Sequence, residues 1–231
     1  MEIVKELFKD RKNEVDLYFR FINIFSKINI KDKDSFSKND KNDLENILKA
    51  NSLLLLYNLV ESTLISSIEK IYTTFEEEKI TYNEVRDEIK DIWFNYKFSF
   101  AYDKKAHFET YKDTAKNIIN SIISNETIEL NRRAIGISGN LDADKIRMVC
   151  RNHGIEFKSP NECHGGEKLS KVKEERNSLA HGTHSFVECG RYYTYENIQS
   201  IRIEVEKFLE GFIDAIENYY KNKDYLRKNN I

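Results

Sequence analysis

One proline, Pro160, and eight glycines are the only strong helix breakers in 231 residues. Proline removes a backbone donor and clashes with the preceding turn, and glycine is entropically costly inside a helix. Where both are rare, long stretches run without punctuation, and here those stretches carry apolar residues at helical period. Val4, Leu7, Phe8, Val15, Tyr18, Phe19, Ile22 and Phe25 fall largely at that spacing over residues 2–28. From Asn42 to Glu77 the pattern returns through Leu44, Ile47, Leu48, Leu55, Leu59, Leu64, Ile68 and Ile71. Further helices are expected over Tyr82–Ala101, with Val85, Ile89, Ile92 and Trp93 inward, and over His107–Ser124. A last one is expected over Tyr195–Tyr220, carrying Ile198, Ile201, Val205, Phe208, Leu209, Phe212 and Ile216. Apolar faces this wide must be covered by other helices, so the expected fold class is all-α, a helical bundle.

The breaks between helices read differently from one another. KDKDSFSKNDKND, residues 31–43, is polar and offers several N-cap residues. LNRRAIGISGNL, residues 130–141, has two glycines and alternating isoleucines, which fits a short strand or an irregular loop. DADKIRMVCRNHG then reads as a short helix, opened by acids and closed by Gly154. Residues 155–166 form a connection, and Glu167–His181 a helix that stops at Gly182. Thr183–Tyr195 is expected to hold a small irregular or hairpin excursion. No internal repeat or low-complexity linker divides the chain. The expected organisation is an accessory N-terminal helix over 1–36 and one helical domain over 37–231.

Composition narrows the function classes. The longest apolar run, Leu53–Leu56, is far shorter than the roughly 20 residues a membrane helix needs. The N-terminal stretch MEIVKELFKDRKNEVD is charged throughout and has no apolar signal region. Three cysteines, Cys150, Cys163 and Cys189, are an odd number and suit reduced thiols in a cytoplasm. No partner membrane is therefore expected. The net charge of −2 argues against non-specific wrapping of duplex nucleic acid. Locally the balance shifts: residues 131–176 hold ten Lys/Arg against seven Asp/Glu, and residues 76–91 hold seven acids against three bases.

The stretch with most chemistry is ERNSLAHG, residues 175–182. Asn177 and His181 lie four apart and share a helix face. Arg176 lies five before His181, and its long side chain can swing toward the same groove. Histidine is the side chain best suited to proton transfer near neutral pH. Arginine is a permanent cation whose planar fork matches a phosphate. A helix end with both can hold a phosphate and move protons around it.

Arg176, Asn177 and His181 resemble the signature of the HEPN superfamily, an arginine and a histidine four to six residues apart with a polar residue after the arginine. SGNLDADKIRMVCRNHGIEF, residues 138–157, is similar to a segment found before the motif in one bacterial HEPN-like subgroup, and NLVEST, residues 58–63, to that subgroup's first core helix. The resemblance covers roughly residues 40–220 and implies a HEPN-like bundle. It also implies a metal-independent endoribonuclease that needs no cofactor. In that reaction the RNA 2′-hydroxyl attacks the adjacent phosphate, leaving a 2′,3′-cyclic phosphate and a 5′-hydroxyl. His181 would transfer protons, Arg176 would stabilise the phosphorane, and Asn177 would orient the histidine or the phosphate. Glu61, an acid in an otherwise apolar helix, would support Arg176. The implied partners are RNA, a second copy forming a composite active site across the helix of residues 168–181, and an antitoxin or regulatory protein. The implied role is that of a toxin or defence nuclease. The alternative is a non-catalytic HEPN-like module that binds RNA, a nucleotide or a protein.

Other motifs carry less. Cys150, His153, Cys163 and His164 have the residue types of a zinc site, but their spacing fits no common finger, so no metal is expected. SGN and CHGGEK lack the glycine spacing of phosphate-binding loops, and GISGN lacks the order of a serine-hydrolase elbow. Thr183 stands where some HEPN toxins carry a modifiable tyrosine. His184 reads as a loop residue. The cluster RYYTYE, residues 191–196, suits either packing against the last helix or stacking on unpaired bases.

Overall fold

The computed structural model describes residues 1–28, 37–99, 108–137 and 139–228. They form α1 (Glu2–Lys27), α2 (Lys38–Glu77), α3 (Asp87–Ser99), α4 (Phe108–Ile123), α5 (Ala143–His153), α6 (Glu167–Ala180), α7 (Phe186–Arg191) and α8 (Tyr195–Lys221). The fold is an all-α bundle, as expected, and the described residues contain isolated β-bridges but no strand.

α2 is the axis of the bundle and packs against α1, α6, α7 and α8. Ser37 starts it with a reciprocal cap: its hydroxyl accepts from the Asp40 amide at 3.1 Å, and the Asp40 carboxylate accepts from the Ser37 amide at 2.8 Å. Leu53, Leu56, Leu59, Leu64, Ile68 and Ile71 are fully buried. Between them sit buried hydroxyls that return their hydrogen bonds to their own helix, Thr63 to Leu59 O and Ser67 to Thr63 O, each at 2.7 Å. Small, self-satisfied polar residues let neighbouring helices come close without stranding a donor.

α1 buries Val4, Phe8, Val15, Phe19 and Ile22 in the same core as α2 and α8. Its ion pairs Lys12–Glu210, at 2.7 Å, and Asp16–Arg202 reach α8. The opposite side of α1 is also apolar: Leu17, Phe21, Ile24 and Ile28 are 63%, 47%, 60% and 44% exposed.

Two local expectations need correction, and one alternative is decided. The Thr183–Tyr195 segment contains a helix, α7, and no hairpin. Ser185 and Glu188 form a second reciprocal cap, and Gly190 lets α7 lie directly on α2. A Cβ at Gly190 would stand 1.9 Å from the Asn46 carbonyl oxygen. Residues 130–141 take the irregular-loop alternative: their described part is coil around a 3₁₀ turn, Arg132–Ile135, capped by Asn131 and ended by Gly136 at φ 68°. The third helix begins at Asp87, later than Tyr82. Residues 81–86 are drawn into bridges Thr81–Thr127 and Val85–Leu226 instead. His107 and Ala101, the outer limits expected for two helices, lie outside the described residues, as do residues 29–36.

Among the described residues no helix is long and apolar enough to cross a membrane.

Candidate active site at the end of the motif helix

α6 presents Leu169, Val172, Glu175 and Leu179 to the core. This register leaves Arg176, Asn177 and Ser178 half-buried at the edge and His181 exposed at the C-cap. Gly182, at φ 68°, adopts the left-handed conformation that ends many helices. The amides of His181, Gly182 and Thr183 bond back to Asn177 O (3.0 Å), Leu179 O (3.3 Å) and Ser178 O (2.9 Å). The turn is thus fixed by its backbone. The His181 imidazole makes no hydrogen bond or ion pair with any described residue.

Arg176 is held from two sides. Its guanidinium carbon lies 4.8 Å from the centroid of the Tyr57 ring, a cation–π contact. Its Nη1 donates to Asn177 Oδ1 at 3.0 Å. Asn177 Nδ2 in turn donates to Asn140 Oδ1 at 2.6 Å. The Tyr57 hydroxyl donates to Gly139 O at 2.5 Å and accepts from the Leu141 amide at 3.3 Å. Burial pushes the Tyr57 phenol up, so it remains a donor at neutral pH. Gly139, at φ 73°, brings its backbone beside the guanidinium: a Cβ there would be 3.8 Å from Arg176 Nη2.

Beneath the motif, Glu175 is buried and points away from solvent. It accepts from Tyr193 Oη (2.8 Å) and Cys189 Sγ (3.3 Å), and it pairs with Lys171 (3.0 Å). Burial opposes its charge, yet these three partners hold its carboxyl below the usual range. Burial and the nearby carboxylate push the Cys189 thiol up to about 12, which keeps it an uncharged donor. This network fixes α6 to α7. Asp142, the N-cap of α5, fixes the other flank through Lys173 at 2.7 Å.

The expected site residues are distributed as follows. Arg176 and Asn177 are in direct contact, and His181 caps the same helix. Glu61 lies one turn beyond Tyr57 and pairs with Arg132 at 3.4 Å. It is near enough to Tyr57 to act on that hydroxyl's ionisation, as is Arg176. Tyr57, Gly139 and Asn140 were missed as individual site residues. The signal was available in the two similar segments, since Tyr57 immediately precedes NLVEST and Gly139–Asn140 lie in SGNL.

Of the residues weighed as zinc ligands, Cys150, His153 and Cys163 are buried in the core, while His164 is exposed on a turn at φ 43°. His153 Nδ1 bonds Val149 O at 2.8 Å, and a carbonyl only accepts, so Nδ1 carries the proton. Nε2 then accepts from the Tyr72 hydroxyl at 2.7 Å. Cys150 and Cys163 are buried. Among the described residues no three His, Cys, Asp or Glu side chains are grouped to hold a metal ion. A polar surface hollow lined by Arg86, Glu88, Gly154, Tyr219 and Arg227 contains none of the motif residues.

The family model for HEPN_MAE_28990-like HEPN matches residues 3–225. No match was found among curated proteins or among solved structures.

Proposed function

The chain belongs to the HEPN_MAE_28990-like HEPN family, and from that premise we propose that it is a metal-independent endoribonuclease whose active residues are Arg176, Asn177 and His181. The observation that carries this reading is the contrast at the end of α6. Arg176 is held in place by Tyr57 and Asn177, while the His181 imidazole is exposed and uncommitted. A pre-positioned cation beside a free proton carrier is what phosphate chemistry requires.

On this reading the RNA 2′-oxygen forms a bond to the adjacent phosphorus as its proton is taken up. The bond to the 5′-oxygen breaks, and that oxygen receives a proton. The products are a 2′,3′-cyclic phosphate and a 5′-hydroxyl. His181 transfers protons, Arg176 stabilises the charge on the phosphorane oxygens, and Asn177 sets the angle of the arginine. Glu61 supports the site through Tyr57 and Arg132. One imidazole does not readily serve as base and acid in the same step, so a two-fold dimer with two copies of His181 in one cleft completes the proposal. A cytoplasmic toxin or defence role, under an antitoxin or regulatory protein, belongs to the same reading.

The test is incubation of purified protein with total RNA, with and without EDTA, beside His181→Ala. Cleavage that persists in EDTA, leaves cyclic-phosphate ends and vanishes in His181→Ala supports the reading. Complete inhibition by EDTA with rescue by Mg²⁺, or an unaffected variant, overturns it. RNA that is bound but never cleaved identifies a binding module instead. Mixing wild-type protein with His181→Ala tests the shared cleft. Activity well below that of the wild-type fraction alone supports it, and activity in simple proportion rejects it.

A further inference from the structure

The structure divides the aromatic cluster of residues 191–196. Tyr193 is buried and committed to Glu175. Tyr195 is half-buried, with its hydroxyl 3.5 Å from Phe19 O. Tyr192, the C-cap of α7, is 74% exposed. Its ring faces His184, with centroids 6.5 Å apart and planes inclined at 51°. His184 is exposed too, and its Nδ1 lies 3.0 Å from Ser178 Oγ. Ser178 is three residues before His181 on α6, so the two share a helix face. The two rings do not stack on each other; they form an open wedge tied to the same turn as the uncommitted imidazole.

We propose that His184 and Tyr192 are a stacking platform for one unpaired nucleobase next to the phosphate handled by Arg176 and His181, which makes single-stranded RNA the substrate. This rests on the ribonuclease reading. Aromatic faces accept any base, and only an unstacked base can reach them. A duplex, whose bases are stacked on each other, has none to offer.

The test separates binding from cleavage by using His181→Ala protein and labelled RNA, unstructured or annealed to its complement, in fluorescence anisotropy. The single strand should bind more tightly than the duplex. Adding Tyr192→Ala should weaken the single strand roughly tenfold or more, while Tyr192→Phe retains the affinity. In otherwise wild-type protein, Tyr192→Ala should raise KM and leave kcat close to wild type. Equal affinity for both RNAs, or unchanged affinity in Tyr192→Ala and His184→Ala, overturns the platform while leaving the ribonuclease reading intact. Failure to bind or cleave any RNA overturns both.

Discussion

The guanidinium of Arg176 lies over the ring of Tyr57, 119 positions earlier in the chain, at 4.8 Å from its centroid. The same tyrosine's hydroxyl holds both ends of the Gly139–Leu141 loop. One side chain from the central helix therefore sets the arginine and the loop that borders it.

Tyr57→Phe should keep the cation–π contact and release the loop. We expect a stability loss of about 1–2 kcal/mol, since the Leu141 amide and Gly139 carbonyl lose a partner. RNA cleavage should fall less than in Arg176→Ala. Tyr57→Leu should lower cleavage further, because the arginine loses its support. Thermal unfolding and initial rates on one RNA check both, and a Tyr57→Leu rate equal to wild type would remove the positioning role.

Asn177 both accepts from Arg176 and donates to Asn140. Asn177→Asp keeps the acceptor, and the Asn140 amide can turn to donate. Asn177→Ala removes both contacts. The expected order of cleavage rate is wild type, then Asn177→Asp, then Asn177→Ala, with Arg176→Ala and His181→Ala lowest, by about 10²–10⁴ for loss of a proton carrier. An alanine at 177 as damaging as one at 181 would assign Asn177 a direct role.

Glu175 is the buried anchor of the motif helix. Glu175→Ala would leave the Tyr193 hydroxyl buried without a partner, and about 2–4 kcal/mol of stability should be lost in chemical denaturation. Glu175→Gln retains an acceptor for Tyr193 and should cost clearly less. Equal losses from the two would show that the charge, and so Lys171, is what matters.

His153 couples stability to pH. Burial lowers its pKa from 6.5 to about 4 in the folded chain. Between those values the unfolded chain binds the proton and the folded chain does not. Its contribution is therefore complete above pH 6.5 and is lost as pH falls toward 4, on the order of 3 kcal/mol in all. His153→Gln should flatten the pH dependence of unfolding over that interval. An unchanged slope would place the acid sensitivity in another group.

Much of this protein was determined by local sequence alone. The helical period and scarcity of breakers set α1, α2, α6 and α8. A helix needs only its own backbone bonds and one apolar face, both of which are legible along the chain. The Arg176–His181 spacing was legible for the same reason, because both residues belong to one helix end. Only tertiary structure could decide what reaches that end from elsewhere. Tyr57 lies under Arg176, Asn140 against Asn177 and Glu61 against Arg132, and each pair joins segments dozens of residues apart through contacts that no periodicity encodes. The same holds for α7. Its cap, Ser185 to Glu188, was written in the sequence, but six residues make too short a helix to be stable alone. What holds it is the α2 backbone, which Gly190 allows to approach, and the buried Glu175 carboxylate that binds Cys189.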